Sequence, residues 1–237
     1  MPAKHHYTLL SYNLWEDRAT HELSELSRRY TPDILCLQES NTAILPSEIN
    51  ELRLADSTKM NRLGLAIYYN PYNLHLEDIC SFALNKSLHD HFLSPAHERL
   101  LAAKFSDPHT KQTFVAASFH ASPLSARNGV RRKQIDAAHA ILNTFGANDN
   151  KKQSASIMAG DYNYPLFQKK LTKNLEKNGY VLSRSDSHTY ARWLKGHYDF
   201  VTSSNITIAP VKTLPRGVSD HLPILAKFSL SNEQPNQ

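Results

Sequence analysis

The sequence predicts either two mostly antiparallel sheets with helices outside them, or one α/β domain built on a mixed sheet. Three observations carry this. Strand-like and helix-like segments alternate along the chain. Several strand-like runs sit close enough to pair as hairpins. One long amphipathic segment, Asn128 to Phe145, reads as the longest helix.

Tyr7 to Tyr12 is a short run rich in strand formers, and Asp17 to Tyr30 reads as a helix with Leu23 and Leu26 on one face and Pro32 beyond its end. Asp33 to Gln38 and Leu63 to Tyr69 are apolar strands, the second stopped by Asn70-Pro71. Leu100–Phe105 and Thr113–Phe119 are expected to be hairpin partners around Asp107-Pro108-His109. In the long helix, Val130, Ile135, Ala138, Ile141 and Leu142 are expected to face inward. Ser156 to Gly160 is a strand, and Leu166 to Asn178 is a basic amphipathic helix closed by Gly179. Tyr198–Thr202, Ile206–Val211 and Leu222–Phe228 complete a strand-rich C-terminal part. No linker divides the chain, so one domain is expected over residues 1–230, followed by a polar tail over 231–237.

Composition narrows the classes. The 237 residues are 41% hydrophobic and 21% charged, which excludes a disordered tail. No apolar run approaches the roughly 20 residues of a spanning helix, and the first residues lack the apolar core of a signal peptide. With two cysteines, Cys36 and Cys80, a disulfide framework is excluded and a reducing cytoplasm is the expected location. A soluble monomer without a membrane partner is expected. Charge is uneven: residues 1–118 hold 11 Lys+Arg and 14 Asp+Glu, whereas residues 119–237 hold 16 and 8. The basic half suits a polyanionic partner, or is simply the solvated face of a basic protein.

Polar residues recur at the ends of the apolar strands: Asn13, Glu39, His120, Asp161, Asn163, Asp199, and the pair Asp220-His221. Singly, each suits a turn. As a set they offer carboxylates, carboxamides and two histidines but no cysteine, a donor chemistry that suits Mg²⁺ or Mn²⁺. Hard cations, a carboxylate that activates water and a histidine that stabilises charge together suit phosphate ester hydrolysis.

Five segments resemble the motifs of the endonuclease/exonuclease/phosphatase superfamily, in its order and over nearly the whole chain. They are Ser11-Tyr-Asn-Leu14, Leu37-Gln-Glu39, Ala159-Gly-Asp-Tyr-Asn163, Tyr198-Asp-Phe-Val201 and Ser219-Asp-His-Leu-Pro223. Arg131-Arg-Lys-Gln134 and His188-Thr-Tyr190 agree with it. The resemblance implies a four-layer α-β-β-α sandwich of two mostly antiparallel sheets flanked by helices, and a metal-dependent phosphodiesterase, foremost a nuclease acting on DNA. It implies Glu39 as principal metal ligand with Asn13 beside it and Asp220 serving the metal region. Asp161 would orient or activate the attacking water, and Asn163 would hold that water or a phosphate oxygen. Asp199 would orient His221, which would contact the scissile phosphate. His120 resembles a second active-site histidine, and Arg99, Arg131 and Arg132 are expected at the substrate phosphate. The stretch Asn61-Arg-Leu-Gly-Leu65 has no acid to support His120, which is therefore expected to be less basic or supported from elsewhere.

A phosphomonoesterase or lipid phosphodiesterase on the same scaffold is the alternative. A non-catalytic nucleic-acid-binding module is the reading from another class, and it predicts the loss of a residue such as Glu39, Asp161, Asn163, Asp199 or His221. All five are present. Of the aromatics near the motifs, Trp15 is expected to pack beside the site, and Tyr162, Tyr164 and Trp193 either stack on bases or wall the cleft. His89-Asp-His91 has the spacing of an accidental metal pair.

Overall fold

Tyr7, Leu9, Ile34 and Cys36 meet Ala116, Ile157, Ala159 and Val201 in one buried apolar cluster. Each pair along a strand is two residues apart, the period that puts side chains on one face of a sheet. Two sheets therefore face each other across this cluster. The computed structural model describes residues 6–59, 61–84, 98–147, 154–192 and 195–230. The expected tail 231–237, the His89–His91 pair and Trp193 lie outside these residues.

The strands are β1 (Tyr7–Asn13), β2 (Ile34–Ser40), β3 (Glu48–Ile49), β4 (Leu52–Ser57), β5 (Gly64–Tyr69), β6 (His75–Ala83) and β7 (Glu98–Ser106). They continue with β8 (Thr113–His120), β9 (Ser156–Asp161), β10 (Val181–Ser183), β11 (Asp199–Ser204), β12 (Ile206–Ile208), β13 (Lys212–Thr213) and β14 (Ile224–Leu230). The helices are α1 (Leu23–Tyr30), α2 (Asn128–Phe145) and α3 (Gln168–Lys177). The first sheet has the order β12-β14-β1-β2-β5-β4-β3, with β13 also on β14, and the second has the order β10-β11-β9-β8-β7-β6. Among the described residues only β1·β2 and β8·β9 pair in parallel.

The outer faces are covered by helices. Leu10, Tyr12, Leu35 and Leu37 pack with Leu23 of α1. Ala117, Phe119, Met158 and Phe200 pack with Ile135, Ala138 and Leu142 of α2 and Leu171 and Leu175 of α3. Burying each of these larger side chains contributes about 1.5–3 kcal/mol. The result is the four-layer sandwich that the motif resemblance implies. No helix among the described residues is long and apolar enough to cross a membrane.

The short strands β3, β4, β10 and β13 carry no sequence signal, Ile206–Val211 shortens to Ile206–Ile208, and three further departures have a local cause. The first helix does not begin at Asp17, because Trp15, Glu16 and Asp17 all adopt positive φ (47°, 54° and 69°). Asp17 instead accepts hydrogen bonds from Thr20 Oγ1 (2.6 Å) and the Asn41 N–H (2.9 Å), and α1 starts at Leu23 after a short 3-10 turn. In α2 the buried set is Arg131, Gln134, Ile135, Ala138, His139 and Leu142, whereas Val130 and Ile141 are half-buried. Its inward face carries hydrogen-bonding groups that a hydrophobicity pattern passes over. Strand β6 carries Glu77 and Asp78 and stands at a sheet edge with no buried position, so no alternation marks it.

Candidate active site at the open end of the sandwich

Along β1, β8 and β9 the face turned to the other sheet changes from apolar to polar at the same end. On β1, Tyr7 and Leu9 give way to Ser11 and Asn13; on β8, Phe114 and Ala116 give way to Ser118 and His120; on β9, Ile157 and Ala159 give way to Asp161. Strand β11 runs the other way, so Asp199 precedes Val201. At the boundary, Gln38 Nε2 donates to Ser118 Oγ (2.9 Å) and Ser11 Oγ (3.2 Å), and Ser118 Oγ donates to the Leu37 carbonyl (2.9 Å). This buried amide ties the two sheets together where the core stops.

Beyond the amide, backbone register sets the side chains. His120 pairs with Asp161 across β8·β9, and Asp161 pairs with Asp199 across β9·β11, so the three form one row on one face. The opposite sheet contributes Asn13, paired with Gln38. Glu39 follows Gln38, and strict alternation would turn it away from the site. A positive φ of 56° and a register shift between Leu37 and Ser40 re-aim it. Such a backbone costs about 1–3 kcal/mol and persists only where its surroundings hold it. Here Glu39 Oε1 accepts from Asn13 Nδ2 (3.2 Å) and Oε2 from the Glu16 N–H (2.8 Å). The left-handed turn of Trp15–Asp17 presents that N–H, and it is anchored by the Trp15 N–H on Asn13 Oδ1 (3.0 Å).

Four groups converge on Asp161 Oδ2. Asn163 Nδ2 lies at 3.1 Å, Asn13 Nδ2 at 3.2 Å, His120 Nε2 at 3.5 Å and His221 Nε2 at 3.7 Å. The other oxygen accepts the Asn163 N–H at 2.8 Å. His221 Nδ1 is 2.9 Å from Asp199 Oδ2, and Thr189 Oγ1 accepts the N–H groups of Tyr198 and Asp199. Ser219 Oγ accepts the His221 N–H (3.0 Å) and donates to the Asn13 carbonyl (2.8 Å), locking the histidine loop onto β1.

The electrostatics follow from this crowding. Burial raises the Asp161 carboxyl above its ordinary value; His221 opposes this, and Asp199 adds to it. Burial alone would lower His221, but Asp199 and Asp161 outweigh it and hold the imidazole well above its usual range. His120 is pushed down to about 4, first by burial, with Glu39 opposing and Arg99 assisting. Burial favours a neutral Glu39, yet His120, the Glu16 N–H and the Asn13 amide prevail and hold it below the ordinary range. His120 is thus both weakly basic and flanked by carboxylates, Asp161 at 3.5 Å and Glu39 at 3.8 Å.

The structure brings Asn13, Glu39, His120, Asp161, Asn163, Asp199 and His221 together. Asp220 adjoins them: burial raises its carboxyl, with His221 and Arg192 opposing and Glu39 adding to the rise. Arg99 is buried behind His120, with Nη1 donating to the His120 carbonyl at 3.2 Å. Arg131 is not brought to the cleft surface. It is buried, and its guanidinium donates to the carbonyls of Pro123 and Ala126 and to Asn128 Oδ1, so it braces the loop before α2. Arg132 lies on the groove between α2 and α3. Tyr162 and Tyr164 are buried in the apolar cluster between the second sheet and helices α2 and α3, out of reach of a stacking base. Trp15 is half-buried beside the site under two guanidiniums, Arg18 at 4.0 Å and Arg192 at 4.7 Å from its ring centroid. Gln38, Ser118, Thr189 and Ser219 went unassigned in the sequence reading, although each lies in or beside a segment that bears a site residue.

Two donor sets could hold a cation. Ligand atoms of Asp161, Asp199 and His221 lie within 4.8 Å of one another. However, the His221 ring is committed to Asp199 and electrostatically drawn to the protonated state, which opposes metal binding. Glu39 suits a hard cation better: its carboxylate is held ionised, and its side chain is 24% exposed against 3% for Asp161. Asn13 turns its amide nitrogen to the two carboxylates, while its oxygen accepts from Trp15. Glu39 is therefore the oxygen donor best disposed to a cation, while the Asp220 carboxylate is largely buried with Oδ2 3.5 Å from Arg192 Nε.

No protein-family model and no curated protein matches this sequence. Solved structures do resemble it. A mannosyl-6-phosphatase of Bacteroides thetaiotaomicron superimposes with a TM-score of 0.74 at 15% identity, over 94% of this chain and 100% of that one. An endonuclease/exonuclease/phosphatase protein of Bacteroides vulgatus gives 0.74 at 15% identity, over 96% and 100%. The 2′,3′-cyclic phosphatase ANGEL2, in complex with adenosine-2′,3′-vanadate, gives 0.76 at 14% identity, over 98% and 97%. By its layers, its strand order and these likenesses, this chain has the fold of the endonuclease/exonuclease/phosphatase superfamily.

Proposed function

We propose that this chain hydrolyses phosphoric esters with the aid of Mg²⁺ or Mn²⁺, and that its substrates are nucleic-acid phosphodiesters, DNA foremost. The observation that carries the reading is the single oxygen Asp161 Oδ2, ringed by two amides and two imidazoles, with Glu39 beside it. Asn13 and Asn163 hold the Asp161 carboxylate in place, and its raised proton affinity suits it to take a proton from water as the new P–O bond forms and the ester oxygen leaves. His221, kept cationic and oriented by Asp199, stabilises the charge that develops on the phosphate oxygens. His120, kept neutral, offers a hydrogen bond without repelling a cation. Glu39 and Asp220 would hold the divalent cation, which supplies Lewis-acid polarisation of the phosphate when bound.

A second reading, hydrolysis of small phosphate monoesters or cyclic esters, is favoured by two structures of the same fold, a mannosyl-6-phosphatase and a 2′,3′-cyclic phosphatase. A substrate panel with each metal separates the two: plasmid, single strand, abasic duplex, RNA, a 5′-tyrosyl oligonucleotide, a cyclic nucleotide, inositol phosphates and a sugar 6-phosphate. Cleavage of an oligonucleotide supports the first reading. Turnover confined to small esters selects the second, and no turnover of any member overturns both.

A further inference from the structure

Strand β8 leads through α2 to its parallel neighbour β9, and β9 leads through α3 to β10, which runs parallel to β9 because both oppose β11. Both helices therefore return in the same direction over the outer face of the second sheet. Their first turns lie at the sheet end that carries His120 and Asp161. Asp136 Oδ1 accepts from Asn174 Nδ2 at 2.5 Å, which fixes the helices side by side. Between them lies a groove of about 510 Å³, lined by Arg132, Lys133, Lys170, Lys173 and Lys177. The carboxylate lining it is Asp136, which is already engaged by Asn174.

The placement is not that of an ordinary solvated helix face. Lys170, Lys173 and Lys177 are exposed and follow the spacing that stacks side chains on one side of a helix, and Arg132 and Lys133 face them from α2. Five like charges gathered around one concave surface repel each other unless an anion enters. Gly129 lines the mouth of the groove, and a Cβ built there would meet nothing within 4 Å, so the backbone is open to close approach.

We propose that the groove between α2 and α3 binds the phosphate backbone of a nucleic acid and leads one strand away from the Asp161 cleft over the helical layer. This rests on the nucleic-acid reading above and assigns the groove as a second binding surface for the same polymer. Lys170, Lys173 and Lys177 meet successive phosphates from one side, and Arg132 and Lys133 meet them from the other.

The test is binding without turnover, namely fluorescence anisotropy of a fluorescein-labelled DNA duplex with the full chain in EDTA over a range of salt concentrations. The triple variant Lys170→Glu/Lys173→Glu/Lys177→Glu is expected to raise Kd about tenfold or more and to flatten the log–log salt slope by about 0.9 for each phosphate that is no longer neutralised. Gly129→Glu adds a Cβ that meets nothing within 4 Å and brings a carboxylate to the groove lining, improves helix propensity and is expected to weaken binding in the same direction. Unchanged Kd and slope in both variants, or capture of vesicles containing phosphatidylserine with no binding of the duplex, overturn the proposal. Because no metal is present, neither result depends on whether Asp161 and His221 perform hydrolysis.

Discussion

Asp161 and Asp199 are register partners on adjacent antiparallel strands, and His221 bridges them, with Nδ1 2.9 Å from Asp199 and Nε2 3.7 Å from Asp161. The imidazole is thus oriented by one carboxylate and aimed at the other. Asp161→Asn keeps the shape of the hub but removes its proton acceptor, and kcat is expected to fall about 10²–10⁴-fold. His221→Ala is expected to lose a comparable factor, and Asp199→Asn less than His221→Ala because it leaves the ring in place. A steady-state comparison of the three variants checks this order. A harmless His221→Ala would reject the assignment.

Glu39 combines a re-aimed backbone with the most accessible carboxylate of the cluster. Glu39→Ala is expected to abolish most turnover and to remove the rise in melting temperature that Mn²⁺ gives the wild type, since a ligand that binds only the native state stabilises it in proportion to ln(1 + [L]/Kd). EDTA is expected to arrest the wild type, with recovery on adding Mg²⁺. Turnover that persists in EDTA would dismiss the metal.

Gly160 precedes Asp161 with φ 149°, and a Cβ there would stand 1.9 Å from the Phe119 carbonyl oxygen on β8. The obstacle is backbone in a parallel pair, so no side chain can swing aside. Gly160→Ala is expected to destabilise the fold by at least about 3 kcal/mol through overpacking and strain together. It is also expected to lower activity in the surviving native fraction, because the His120–Asp161 register lies next to the displaced strand. Urea denaturation and activity per folded molecule measure the two effects separately.

His139 is buried on the inner face of α2, with Nε2 2.8 Å from Thr202 Oγ1 and the ring against Tyr180. Burial pushes its pKa down to about 3, far below the ordinary 6.5. The native protein therefore refuses a proton that the unfolded chain accepts. Stability from this site is complete above about pH 6.5 and is lost as pH falls toward about 3, at up to about 1.4 kcal/mol per pH unit. His139→Phe is expected to remove this slope. The difference between wild-type and variant unfolding free energies across about pH 7 to 5 reads it directly.

The central strands were legible because they are short apolar runs ending in polar residues, and register then carries Asn13, His120, Asp161 and Asp199 to one end. The helix Asn128–Phe145 was legible in its bounds and in the Ile135, Ala138 and Leu142 part of its inward face, but not in Gln134 and His139, which are buried through hydrogen bonds to Ser122 and Thr202 that apolar periodicity does not encode. Edge strands such as β6, whose side chains are exposed or only half-buried, leave no clean alternation to read. Arg131 was expected at the phosphate from the motif resemblance of Arg131-Arg-Lys-Gln134. Which way a guanidinium turns depends on the carbonyls that a loop offers it, here those of Pro123 and Ala126.

The pairing of β14 with β1, clasped by Ser219 on Asn13, has a consequence for the order of assembly. Residues 206 positions apart must meet before His221 can stand over Asp161. Closing so long a loop is entropically costly and is slow compared with forming local hairpins such as β7·β8. The helices and hairpins can therefore form while the hydrolytic cluster is still in pieces. In a stopped-flow refolding experiment, recovery of activity is expected to lag the far-ultraviolet signal and to coincide with docking of the last strand, so the cluster appears only with the finished fold.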